Sequence, residues 1–156
     1  MVADLPQRLL IFIDVTLDQE VFNMKTALEI EVRPTEIDML GHVNNAKYLE
    51  YLEWGREKWY DQVGISFAAM KEQGIATVTV RIAINYRKEV VLGEKLIIVT
   101  QPLRKGRKSF TLEQTILNEQ QEKVTDAEVT IAVISLKERK AVPLPETIDN
   151  VFQELN

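Results

Sequence analysis

The first regular pattern in the chain is an alternation. Leu28, Ile30 and Val32 are interleaved with Glu29, Glu31 and Arg33, the period of two expected of a strand with one buried face. Pro34 ends it, because proline has no N–H to donate to a ladder. A polar loop, Thr35–Asn45, follows. From Ala46 to Val63 the period changes. Tyr48, Leu49, Leu52, Trp59 and Val63 recur at helical spacing, with Glu50, Glu53, Glu57 and Lys58 mostly elsewhere, which predicts one long helix. Asn44 or Asn45 suits its N-cap, where a side-chain oxygen accepts an orphan N–H. Gly55 in mid-helix costs about 1 kcal/mol against alanine, a cost that close approach of another backbone would offset. Ser66–Gln73 reads as a short second helix stopped by Gly74.

The remainder is strand-like. Thr77–Lys88 alternates, which places Val78, Val80, Ile82, Ile84 and Tyr86 on one face. Glu94–Arg104, Arg107–Asn118 and Val124–Lys137 are three further β-rich runs. Lys105–Gly106 and Asn118–Glu122 are the turns between them, and Pro143 and Pro145 mark an irregular end. Strands joined by short turns pair antiparallel, and a long helix must bury its apolar stripe against them. The class is α+β, with a curved antiparallel sheet wrapped around one long central helix. Residues 1–23 show no clear period and read as an N-terminal extension. Residues 24–147 form the single domain, and 148–156 are a C-terminal tail.

Composition narrows the chemistry. The 156 residues carry a formal net charge of -5, so there is no general basic field for nucleic acid. With no cysteine and one histidine, His42, the chain cannot build a disulfide scaffold, a thiolate or multi-histidine metal site, or a cysteine nucleophile. No cofactor is expected. The lack of cysteine is compatible with a reducing, cytoplasmic location. The apolar run Leu9–Val15 is too short to span a bilayer, is interrupted by Asp14, and lacks the flanks of a secretory signal.

The informative stretch is Thr35–Tyr51, within which D-x-x-G-H-V-N-N-x-x-Y-L-E-Y runs from Asp38 to Tyr51. It resembles the 4-hydroxybenzoyl-CoA thioesterase family of hotdog proteins, in its acyl-CoA and acyl-carrier-protein (ACP) thioesterase branches. Asn85–Arg87 ahead of Gly93-Glu94-Lys95-Leu96, then Gly106–Ser109 and Asp126–Val129, extend the similarity over roughly residues 24–147.

Thioester hydrolysis needs a carboxylate or base to attack the carbonyl or activate water, and donors for the oxyanion. A loop carboxylate just before a helix N-terminus can serve both needs, because the first helical N–H groups are unpaired and carry partial positive charge. Spacing alone leaves Asp38 open between this role and that of a turn residue. The resemblance implies that Asp38 is the catalytic residue and that the Asn45 backbone N–H is the oxyanion donor. Direct attack and water activation both remain open. His42 is read as an orienting or proton-handling group, or as a residue fixing the turn. Gly41 turns the loop. Gly41, Asn44 and Tyr48 are the substrate-binding candidates, with Asn44 equally suited to a cap. Glu36 is placed either to raise the pKa of Asp38 or to face solvent. Tyr48, Trp54 and Trp59 line an acyl tunnel or fill the core.

Arg104, Lys105, Arg107 and Lys108 surround Gly106. Coenzyme A carries phosphates, and four cations on a glycine turn suit them, although an exposed soluble hairpin has the same composition. The resemblance implies phosphate contact here, sometimes across a dimer interface, and a homodimer or homotetramer. A hotdog hydratase or dehydratase would need H-x-x-x-H or D-x-N-P-x-H, and neither string occurs. A non-catalytic acyl-thioester-binding protein remains the other alternative.

Overall fold

The computed structural model describes residues 24–153 and 155; the expected extension, 1–23, lies outside them. Five strands, β1 (Thr26–Glu31), β2 (Ile75–Tyr86), β3 (Lys95–Lys105), β4 (Ser109–Leu117) and β5 (Lys123–Ser135), form one antiparallel sheet in the order β1-β3-β4-β5-β2. The described residues contain three helices, not a single central one: α1 (Lys47–Gln62), α2 (Phe67–Glu72), inside the expected Ser66–Gln73, and α3 (Glu146–Gln153), which is not among the expected elements. The two short ones arise from local signals. The Ser66 hydroxyl caps α2 by accepting from Ala69 N, and Gly74, at φ +75°, ends the following turn. In α3, Ile148 and Phe152 fall on one face at the i, i+4 spacing and are both buried. The domain boundary expected after residue 147 therefore falls inside a helix whose apolar face belongs to the core.

α1 buries Tyr51, Leu52, Gly55, Arg56 and Trp59 against the sheet. The core has two main parts along it. Tyr51 and Leu52 pack with Val43, Ile98 and Ile116 near the start of the helix. Trp59 packs with Phe110, Ile131 and Phe152 near its end. Between them a buried polar link fixes the helix on the sheet. Gln114 Nε2 donates to Leu52 O at 2.8 Å and to Thr100 Oγ1 at 2.9 Å, and Gln114 Oε1 accepts from Arg56 Nη1 at 3.1 Å. The tight approach at Gly55 is made by side chains of β3 and β4, not by backbone. A Cβ there would lie 2.5 Å from Ile98 Cγ2 and 3.0 Å from both Gln114 Nε2 and Thr100 Oγ1.

The alternation along β2 is broken by a bulge. Thr79 pairs with Ile131 but Arg81 pairs with Thr130, which leaves Val80 as the extra residue. The core-facing partners Val133, Ile131, Val129 and Ala127 then stand opposite Thr77, Thr79, Ile82 and Ile84. Val78 and Val80 do not share the face of Ile82 and Ile84, contrary to the simple alternation, and both are exposed.

Candidate active site

The loop ahead of α1 folds back on itself. Ile37 and Val43 form an isolated antiparallel bridge. Inside it, Asp38 N donates to His42 O at 3.0 Å and Gly41 N to Asp38 O at 3.1 Å. Gly41 sits at φ +85°, a conformation that glycine adopts without Cβ strain. The Asp38 side chain has two environments. Its Oδ1 accepts from Leu40 N at 2.9 Å, an Asx turn. Its Oδ2 stands 3.8 Å from His42 Nδ1, too long for a hydrogen bond but close enough for mutual electrostatic influence. The carboxylate thus both shapes the turn and reaches the open side of the loop.

Asn44 makes the junction with the helix. Its Oδ1 accepts from Ala46 N, its carbonyl accepts from Lys47 N, and its own N–H donates to Glu36 O, each at 2.9 Å. Asn44 is therefore a cap, acting two residues ahead of the helix N-cap position, Ala46, which makes no side-chain bond of its own. Asn45 differs. Tyr86 Oη donates to the Asn45 carbonyl at 3.0 Å, while its N–H has no hydrogen-bond acceptor among the described residues.

Asp38, His42, Asn45 and Tyr48 line one cleft of about 460 Å³ together with the end of β2 and the residues after it, Tyr86–Glu89. Gly41 and Asn44 are not among its lining residues and act on its shape instead. Tyr48 is buried, with its ring edge-on to Tyr51 and Tyr86. Burial, reinforced by the charge of Glu94, raises its phenol pKa to about 12, so at neutral pH it is a neutral hydroxyl and not a base. Trp59 is core, with Nε1 bonded to Met24 O at 2.8 Å. Trp54 is only half-buried and borders a separate groove with Leu28 and Ile30. Glu36, for which solvent exposure is one of the two sequence readings, is buried. Its Oε2 accepts from Tyr51 Oη at 2.6 Å and from Arg33 N at 2.8 Å.

Sequence reasoning missed Tyr86, Arg87, Lys88 and Glu89 as site residues. The one signal was the Asn85–Arg87 similarity ahead of Gly93. Arg87 is held by a bidentate pair with Asp126, and Lys88 pairs with Glu122 at 2.6 Å. The pairing with Arg87 holds the Asp126 carboxyl below the usual carboxylate range.

The cationic turn is elsewhere. Ser109 lies opposite Ala132, and Ala132 opposite Val78, whereas the cleft adjoins Tyr86, opposite Thr125. Seven residues of β5 separate the two levels, about 23 Å at strand rise. Within one chain the structure does not bring Arg104, Lys105, Arg107 and Lys108 to the cleft. Arg104 pairs with Glu128 and Lys105 with Asp149; Arg107 and Lys108 have no ion pair among the described residues.

Residues 32–152 match the model of the Thioesterase-like superfamily, a broader grouping than the family that the loop motif resembles. The chain is 41% identical over 128 residues to the long-chain acyl-CoA thioesterase FadM of Escherichia coli (strain K12), covering 81% of this chain and 96% of FadM. Among solved structures it is similar to the probable thioesterase YbaW of Escherichia coli, at 38% identity and a TM-score of 0.71 over 84% of this chain and 97% of that one. The DHNA-CoA thioesterase of Staphylococcus aureus shares the fold, with a TM-score of 0.78 at 24% identity over 84% of this chain and 90% of that one. The fold is the hotdog thioesterase fold, and the chain belongs to the Thioesterase-like superfamily.

Proposed function

We propose that this protein hydrolyses acyl-CoA thioesters to a free acid and the CoA thiol, with Asp38 as the catalytic carboxylate. One observation carries the reading. The Asp38 carboxylate and Asn45, whose N–H has no acceptor among the described residues, border the same cleft. In hydrolysis, water or Asp38 itself adds to the thioester carbonyl, the Asn45 N–H donates to the oxyanion, and the C–S bond then breaks. In the water route Asp38 accepts the proton, which returns to the departing thiolate. In the direct route an acyl-aspartate anhydride forms and water cleaves it. His42, with Nδ1 3.8 Å from Asp38 Oδ2 and lining the same cleft, is placed to orient water beside the carboxylate. Leu40, Val43, Tyr48 and Tyr86 offer apolar surface to the acyl group. The relative FadM makes long-chain acyl-CoA the first substrate class to test.

The protein acts as a cytoplasmic homodimer or a larger even assembly. β2 is a twelve-residue edge strand with exposed Val78, Val80 and Tyr86. Such an edge is a template for pairing. Isologous pairing of β2 with its copy runs the strands antiparallel and sets the start of one beside the end of the other. The partner copy's Arg104–Lys108 turn then comes to the cleft's end of the sheet, about three strand spacings or 14 Å from this chain's β2. Arg107 and Lys108 would meet CoA phosphates there, with Arg87 and Lys88 beside the thioester.

A release assay for free thiol over short, medium, long and aromatic acyl-CoAs, repeated with acyl-ACP, tests the activity. Turnover on at least one CoA thioester is expected. Turnover on none, or on ACP thioesters alone, would reject the acyl-CoA reading.

A further inference from the structure

We infer that Glu36 and Tyr51 are positioning residues that lock the Asp38 loop onto α1, an inference that rests on the thioesterase reading. Tyr51 is on the second turn of α1 and fully buried, and Glu36 is 5% exposed. The bond from Tyr51 Oη to Glu36 Oε2, at 2.6 Å, spans fifteen residues, from the helix to the loop's entry. The same oxygen takes Arg33 N at 2.8 Å, which fixes the short 3-10 turn Pro34–Glu36. The Glu36 carbonyl takes Asn44 N at 2.9 Å. One residue is thus tied by its side chain to the helix and by its backbone to the loop's exit. Asp38 lies two residues downstream of it, and Asn45 lies one residue beyond its backbone partner.

Stability alone does not account for this pair. No cation lies within ion-pair distance of Glu36 among the described residues. A buried carboxylate without a counter-charge carries a desolvation cost, and apolar side chains of similar volume commonly serve a fold as well or better. What an apolar pair cannot supply is direction. The two bonds to Oε2 define where the loop enters, and the Ile37–Val43 bridge carries that placement to Asp38 and Asn45. Displacement of a reacting group by about 1 Å can lower rates by about a hundredfold.

The test uses the full chain as Tyr51→Phe, Glu36→Gln and Glu36→Leu variants. Gln keeps an oxygen that can accept both bonds, and Tyr51→Phe removes only a hydroxyl, so it keeps the test available if Glu36→Leu fails to fold. Two readouts are taken: kcat and KM on the best acyl-CoA, and hydrogen exchange of the Asp38, Gly41 and Asn44 amides. Tyr51→Phe and Glu36→Leu are expected to lower kcat about tenfold or more with KM within about twofold, and to speed exchange at the three amides by a similar factor. Glu36→Gln should stay within about threefold of wild type on both measures. Unchanged exchange in Tyr51→Phe, faster exchange with unchanged kcat, or a Glu36→Gln as impaired as Glu36→Leu would each overturn the inference. The exchange readout needs no substrate. A wild-type protein inactive on every acyl-CoA would therefore reject the thioesterase reading while the loop clamp is still tested by itself.

Discussion

Tyr86 Oη donates to the Asn45 carbonyl at 3.0 Å. The last residue of β2 therefore holds, through one bond, the carbonyl of a residue that lines the cleft. A bond to a backbone carbonyl fixes direction more than it adds stability, particularly here, where the Tyr86 ring is about half exposed. Tyr86→Phe is expected to lower kcat/KM about threefold to tenfold while shifting unfolding free energy by about 1 kcal/mol or less. Steady-state kinetics alongside denaturant unfolding separates the two effects.

Gly55 is required by packing, not by helix chemistry. Alanine would gain about 1 kcal/mol in helix propensity, but its Cβ would meet Ile98 Cγ2 at 2.5 Å beside the Gln114 and Thr100 side chains. Overpacking of this kind costs about 1–3 kcal/mol, so Gly55→Ala should be net destabilising or, at best, neutral. A lower urea midpoint with an unchanged slope checks this; a clear gain in stability would show that β3 yields there.

The loop, the helix and the class were legible because each has a strong local signal. Asp38, His42 and Asn45 sit within eight residues of one another, so their meeting needed only a turn, and Gly41 supplies it. Tyr86–Glu89 were not legible as site residues because they reach the cleft by tertiary packing from more than forty residues away. The Val80 bulge was hidden for a related reason: an inserted residue leaves the amphipathic alternation looking intact while reversing the faces. Glu36 carries no sequence mark of burial, since its partner Tyr51 is fifteen residues on. The buried Ile148 and Phe152 were obscured by the two prolines ahead of α3.

Three of the four tyrosines should titrate late. Burial raises Tyr48 and Tyr60 to about 12, and pushes Tyr51 up as well, with the Glu36 carboxylate adding to it. Phenols of the unfolded chain lose protons near pH 10, so above that pH the unfolded state binds fewer protons than the folded one. Stability contributed by these groups is present in full below pH 10 and falls as pH rises from about 10 through 12. Absorbance titration near 295 nm should show delayed ionisation of three phenols and a loss of thermal stability over the same interval. Titration of Tyr48, Tyr51 and Tyr60 near pH 10 in the folded protein would contradict their burial.

The assembly has its own check. Val80→Lys places a charge on the exposed β2 edge, at a side chain 59% exposed in the single chain. It should leave the fold intact, convert the oligomer to monomer by light scattering, and reduce kcat/KM by withdrawing the partner copy's cations. A wild-type protein that is monomeric at working concentration would contradict the shared site.

Asp38 is the residue on which the proposed hydrolysis turns. Its carboxylate should be replaceable by an amide without loss of fold, because Asn can keep the Asx turn to Leu40 N. With Asp38→Asn, the predicted result is a fall in kcat of about a thousandfold on the best acyl-CoA, with KM and melting temperature little changed. Wild-type turnover in the folded Asp38→Asn protein would contradict the central claim.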